Sequence, residues 1–444
     1  MHAAQSSALF GLNPLWLATT VMIVTYAVII SERLNRSIIA LLGAMLMIMF
    51  GLLTQEQAIA GIDFNTIGLL VGMMIIVSIT RKCGVFEYLA IASARWVKAR
   101  PAGLLAMLAV VTAVVSAFLD NVTTVLLVVP VTLVITEALQ INPYPFLFSQ
   151  ILASNIGGTA TLIGDPPNIL IGGQVGLSFN DFLFNLAPVI VVVLLVHVIS
   201  MHLIWGRKMS APEPLRARVM GFDANKAITD PRLLKLSCFV LALVVAAFVL
   251  ARKLGLDSGT IGMAGAALLL MLDNIGRSAE QQSENVLKVY NEIEWVTIFF
   301  FIGLFIVIAG VEQAGLLKLL ADQLLILTGG DFTRTGMSVL WASAVLSAIV
   351  DNIPFVATMI PLIKAMAPAF GGPDALLPLW WCLSLGACLG GNGTLIGASA
   401  NLTVAGIAER NGIPFRFLTY SKVAFPLMLL HIAISHVYLM WRYF

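Results

Sequence analysis

Two Asp-Asn pairs stand where acidic residues are rare. Ser116–Pro130 reads SAFLDNVTTVLLVVP and Ser347–Pro361 reads SAIVDNIPFVATMIP, 231 positions later, so Asp120-Asn121 and Asp351-Asn352 each interrupt an apolar stretch. An ionisable residue at the centre of a lipid-embedded segment costs about 3 kcal/mol, and such residues persist where they line a cavity or close a helix end. Asp and Asn are also strong N-caps, so capping alone is one reading; capping combined with an ion or solute site is the other. The chemistry open to the pair is reversible binding. A carboxyl withdrawn from water holds its proton to higher pH and can load and release it near neutrality, while the amides hydrogen-bond a polar solute.

A second constellation is also duplicated. Residues 155–168 read NIGGTATLIGDPPN and residues 390–401 read GGNGTLIGASAN, at an offset of 233. Gly157-Gly158 and Gly390-Gly391 free the backbone of Cβ constraints. Pro166-Pro167 cannot continue a helical ladder and push Asp165 out of the helical region. Backbone groups released in this way must find protein, ligand or water, because lipid offers nothing. Small-residue strings also permit close helix approach, but the duplicated pattern of two glycines, Thr-Leu-Ile-Gly and a closing Asn points to a discontinuous helix lining a site. The candidate binding residues are Asp120, Asn121, Thr123, Asn155, Thr159, Thr161, Asp165 and Asn168, with Asp351, Asn352, Asn392, Thr394, Ser399 and Asn401. Asp120, Asp165 and Asp351 are the candidates for carrying a proton.

These residues need elements to place them, and composition says which kind. Hydrophobic residues make up 59% of the 444 and charged residues 11%, against roughly 25% charged in soluble domains. Apolar runs such as Leu15–Ile30, Ile38–Leu53, Val189–Trp205 and Leu233–Leu250 suit helices that cross a hydrocarbon core of about 30 Å. The fold class expected is an all-α polytopic membrane protein. The N-terminal flank lacks Lys and Arg, unlike a removable leader. The net charge of +2 gives no reason to expect nucleic acid.

The repeats divide the chain into a first copy, 1–206, an inter-repeat loop, 207–232, and a second copy, 233–444. Besides the quoted strings, Asp63 maps onto Glu294, Gly72 onto Gly303 and Gly84 onto Gly315. Each copy is expected to hold a re-entrant hairpin, at about 103–140 and 336–368, and a broken span, at about 146–171 and 376–408. Segment 81–100 reads as an amphipathic surface helix. Five crossings per copy invert the second copy relative to the first. With the N-terminus outside, nineteen of the 25 Lys and Arg fall in segments assigned inside, and 1–14, 54–65 and 172–180 hold none. That agrees with the positive-inside rule. Polar groups from two inverted halves then converge at the midplane, the arrangement of a secondary transporter's pocket.

The strings LDNVTTVLLVVP, SNIGGTATLIGDPPN, VDNIPFVATMIP and LGGNGTLIGASAN resemble the ion transporter superfamily over nearly the whole chain. The similarity is to the branch of ArsB-type arsenite permeases, the melanosomal P protein and NhaD-type sodium/proton antiporters, with dicarboxylate and citrate carriers as more distant relatives. The resemblance implies an elevator mechanism, in which hairpins and broken helices slide against a scaffold, and a homodimer held by scaffold helices. It also implies that Asp120, Asp351 and Asp165 replace hydroxyl residues of the dicarboxylate carriers.

Three carboxylates, with no Arg or Lys in the four motifs, disfavour an organic dianion and suit protons or Na⁺. The leading expectation is efflux of arsenite or antimonite, neutral trihydroxy solutes, coupled to proton entry in the cell (inner) membrane. Na⁺/H⁺ antiport, or an anion or another neutral oxyacid carried as in the P protein, is the alternative. The expected energy source is the proton gradient, with Na⁺ as the second candidate, and no cofactor is expected. No G-x-x-x-x-G-K-[ST] string is present, so ATP would act only through a separate ATPase subunit. Neither an enzyme nor a metal site is expected. Cys83, Cys238, Cys382 and Cys388 form no C-x-x-C pair. His197 and His202, like His431 and His436, are five apart, poor ligand spacing, and His2 is terminal.

Overall fold

The computed structural model describes residues 12–31 and 33–444. The expected outside N-terminal flank and His2 lie outside the described residues. Among the described residues the chain forms 22 α-helices and no strand. Seven helices are long and apolar enough to cross a bilayer: Phe64–Arg81, Asn121–Ala138, Ala187–Lys208, Pro231–Leu254, Trp295–Gln313, Pro373–Gly393 and Phe417–Arg442. The protein is an all-helical polytopic membrane protein. Two expected crossings are shorter, Pro14–Ile30 and Arg36–Met49; at 1.5 Å per residue the 14-residue second one spans roughly 21 Å. One hairpin arm, Asn121–Ala138, is by contrast long enough to cross by itself.

Two pairs of helices pack along each other closely. Arg36–Met49 packs along Trp295–Gln313, and Ser258–Asn274 along Phe64–Arg81, so each contact joins a helix before the 207–232 segment to one after it. A Cβ on Gly72 would fall on the backbone of Gly262, and one on Gly303 on the backbone of Ala40. Close backbone approach of this kind is how apolar helices gain contact where lipid gives no hydrophobic drive. These four helices form a frame.

Against that frame lie two helical hairpins and two interrupted helices. Pro101–Ser116 and Asn121–Ala138 make the first hairpin; Phe332–Ile349 and Asn352–Ala365 make the second. The interrupted helices are Tyr144–Thr159 with Pro166–Val175, and Leu377–Gly390 with Ser399–Arg410. Their first halves are the centre of the molecule: every residue from Pro145 to Thr159 and from Leu379 to Gly390 is buried. The segment expected as a surface helix is the helix Val85–Trp96, which leaves Trp96 exposed but buries Phe86, Ala90, Ser93 and Ala94 against the first hairpin and the inter-repeat segment. His197 and His431 meet inside the protein, ring centroids 5.9 Å apart.

Candidate functional site: hairpin tips and interrupted helices

The hairpin tips are built by capping. Asp120 Oδ1 accepts from Thr123 N at 2.8 Å and Asp351 Oδ1 from Ile353 N at 2.9 Å, so each carboxylate starts a second arm and keeps an oxygen for other partners. Each tip is fastened to its interrupted helix. Ser116 Oγ donates to Ser154 O and Ser347 Oγ to Ala387 O, both at 2.7 Å. Thr161 Oγ1 donates to Ala117 O, and Thr394 Oγ1 to Ala348 O. A Cβ on Gly157 would strike the Ala113 backbone and one on Gly390 the Ala344 backbone.

The helix breaks are closed from within. Asn168 Nδ2 donates to Thr159 O at 3.1 Å and Thr161 O at 2.8 Å, and Asn401 Nδ2 to Gly391 O and Thr394 O, both at 2.8 Å. These amides satisfy carbonyls that a continuous helix would have paired itself. Asp165 is extended (φ −144°, ψ 133°) before Pro166, as its sequence position requires. Ala398 adopts the same conformation before Ser399 without a proline, so the tertiary contacts impose it there.

A chain of buried amides links the two interrupted helices. Asn155 Nδ2 donates to Asn392 Oδ1 and Asn401 Oδ1, both at 2.9 Å, and Asn121 Nδ2 donates to Asn155 Oδ1 at 2.9 Å and Asp165 Oδ1 at 3.2 Å. Ser384 Oγ donates to Asn168 Oδ1 at 2.6 Å, with Cys388 Sγ 3.6 Å from the same oxygen. Cys388 is buried, and all four cysteines are free thiols.

Beside this chain is a cavity of about 20 Å³ lined by Asp120, Asn121, Asp165, Asn352 and Ser399, and by Arg36, Glu294 and Thr297 from the frame. A space that size holds about one water-sized particle. Asn121 Oδ1, Asp165 Oδ2 and Asn352 Nδ2 are buried with no hydrogen-bond partner. A neighbouring cavity of about 280 Å³ shares Arg36 and Ser399 and adds Asp351. Arg36 Nη1 donates to Ser399 Oγ at 2.7 Å and pairs with Asp351 Oδ2 at 3.3 Å; Nη2 donates to Thr297 Oγ1 at 3.2 Å, and the guanidinium lies 5.1 Å from the Phe300 ring centroid.

Of the residues singled out from sequence, Asp120, Asn121, Asp165, Asp351, Asn352 and Ser399 therefore face the cavities. Asn155 and Asn392 belong to the amide chain. Thr161, Asn168, Thr394 and Asn401 bond the breaks, Thr159 Oγ1 bonds Asn155 O at 2.7 Å within its own helix, and Thr123 contributes its backbone N–H. Sequence reasoning missed Arg36, Glu294 and Thr297. For Glu294 a signal existed, since Asp63 maps onto it. Arg36 lies 315 residues from Asp351, outside all four motifs, and nothing local marked it.

A family model described as CitMHS, citrate transporter, matches residues 26–386. The chain belongs to this citrate transporter family. A Mycobacterium tuberculosis protein named an uncharacterised transporter is 40% identical over 431 residues, covering 96% of this chain and 98% of that one. The human P protein is 33% identical over 507 residues, 96% of this chain and 59% of its own length. Among solved structures, the Alcanivorax borkumensis YdaH transporter superposes with a TM-score of 0.62 at 13% identity, over 97% of this chain and 98% of that one; the likeness there is one of fold. Family and fold together make the chain an integral membrane transporter, and the resemblance to the P protein read from the motifs holds along almost the full length.

Proposed function

We propose that this transporter is a secondary antiporter that exports arsenite or antimonite in exchange for protons entering on the site carboxylates. The observation that supports it is the charge of the cavities: Asp120, Asp165, Asp351 and Glu294 face one cation, Arg36. Citrate, the solute in the family's description, would bring further negative charge; each carboxylate pair about 5 Å apart repels by roughly 3 kcal/mol at an effective dielectric of 20. A neutral trihydroxy solute meets no such repulsion. The unpartnered Asn121 Oδ1, Asp165 Oδ2 and Asn352 Nδ2 offer acceptors and a donor to one of its hydroxyls, the small cavity taking a single water-sized group.

In this reading 1–206 and 233–444 are inverted repeats in the cell (inner) membrane, with the N-terminus outside and 207–232 cytoplasmic. The hairpins and interrupted helices move as one body against the frame, and two copies associate through frame helices. Purified protein in liposomes tests it. Arsenite uptake should follow an imposed pH gradient and collapse with a protonophore. Citrate uptake under the same gradient, with arsenite ignored, overturns it. The three acids of the small cavity, Asp120, Asp165 and Glu294, favour one alternative, Na⁺/H⁺ antiport; Na⁺- or Li⁺-dependent proton movement without arsenite flux would select that reading.

A further inference from the structure

The two hairpin tips are alike in sequence but not in charge. Asp120 and Asp351 occupy the same repeat position, each followed by Asn and each capping its second arm. Around them the frame differs. Asp351 Oδ2 holds the Arg36 guanidinium at 3.3 Å and accepts from Ser399 Oγ at 3.1 Å. Asp120 shares its cavity with Asp165, Glu294 and the edge of Arg36, yet Arg36 pairs with Asp351 alone, and neither Asp120 nor Asp165 takes part in an ion pair among the described residues. The amide chain has the same asymmetry: Asp165 maps onto Ala398. Buried oxygens without partners, Asn121 Oδ1 and Asp165 Oδ2, lie on the Asp120 side.

We infer that Arg36 is a tethered cation that permanently fills the second of two repeat-related cation positions, so that the exchangeable coupling cation binds only at the Asp120–Asp165 half. This inference rests on the antiporter reading above for its transport consequence, though not for its electrostatics. An arginine cannot give up its proton in a protein, and its planar fork joins Asp351, Ser399 and Thr297 at once, so it replaces a mobile ion at that position and never leaves with the cargo. Arg36 and Ser399 share the larger cavity with Asp351, and the same two residues also line the small cavity that holds Asp120, Asp165, Glu294 and Thr297. Without Arg36 the two adjoining cavities would hold four acids and no cation, so a proton would replace its charge.

A difference proton titration of purified protein tests this without any knowledge of the cargo. At pH 7, Arg36→Gln should bind about one more proton per chain than the unaltered protein, Arg36→Lys should bind none extra, and Arg36→Gln with Asp351→Asn should return to the starting count. Arg36→Gln titrating like the unaltered protein overturns the inference. The second arm measures the reversal potential of pH-driven arsenite flux in liposomes. Asp351→Asn should slow flux but keep the potential, and Asp120→Asn should shift it by the loss of one coupled cation. Equal shifts for both variants overturn the inference, and this arm decides if Arg36→Gln does not fold. Absence of any pH-driven flux in the unaltered protein would instead sink the antiporter reading and leave the titration to judge Arg36.

Discussion

Asn155 ties the two interrupted helices together, donating to Asn392 and Asn401 and accepting from Asn121. Asn155→Ala would leave Asn392 Oδ1 and Asn401 Oδ1 buried without partners, while Asn121 Nδ2 would keep Asp165 Oδ1, at about 1–3 kcal/mol for each orphaned group. The melting temperature of the detergent-purified protein should fall clearly, and an unchanged melt would show that the chain of amides carries no stability. The residue was legible as the first letter of a duplicated string. Its partners were not, because its repeat position in the second copy is Cys388 and symmetry alone predicts no amide there. Arg36 was illegible for a different reason: a single charged residue in a basic loop has no local pattern that says which distant carboxylate it will meet.

The interrupted helices depend on glycine for contact as well as for flexibility. Gly157→Ala and Gly390→Ala would each drive a methyl group into the backbone of a hairpin arm, overpacking expected to cost about 1–3 kcal/mol. Gly406→Ala, in the second half of the later interrupted helix with no atom within 4 Å of its Cβ, should instead be neutral or stabilise by up to about 1 kcal/mol. Folded yield on size-exclusion chromatography separates the two classes; equal yields would mean the close approach is not required. At this scale the sequence was most readable. Paired Asp-Asn gave the hairpin turns, and Gly-Gly with Pro-Pro gave the breaks. Pro130 and Pro361, by contrast, lie inside continuous helices, because packing there tolerates a missing backbone donor.

The whole molecule sets a frame of paired helices against a hairpin body, and the proposed cycle requires one to slide on the other. Thr66 of the frame and Gly173 of the first interrupted helix touch: a Cβ at Gly173 would sit against Thr66 Oγ1, which places the two Cβ atoms within disulfide reach. Thr66→Cys with Gly173→Cys should therefore cross-link under oxidation, stop transport, and recover it with reductant. Full transport by the cross-linked protein would exclude a sliding body. The frame itself joins distant parts of the chain, since Phe64–Arg81 packs on Ser258–Asn274 and Trp295–Gln313 on Arg36–Met49.

By itself the sequence determined that this is a helical membrane protein carrying duplicated strings, because apolar length, turn chemistry and repeated motifs are local and need no partner to be read. It also placed acids and amides at the turns, since capping is a contact among residues two or three apart. Only the tertiary structure decided which of the equivalent carboxylates pairs with a cation and which does not. That choice rests on Arg36, 315 residues from Asp351, and on Glu294 arriving from the frame, and charge pairing depends on distance in space, about which the order of residues is silent.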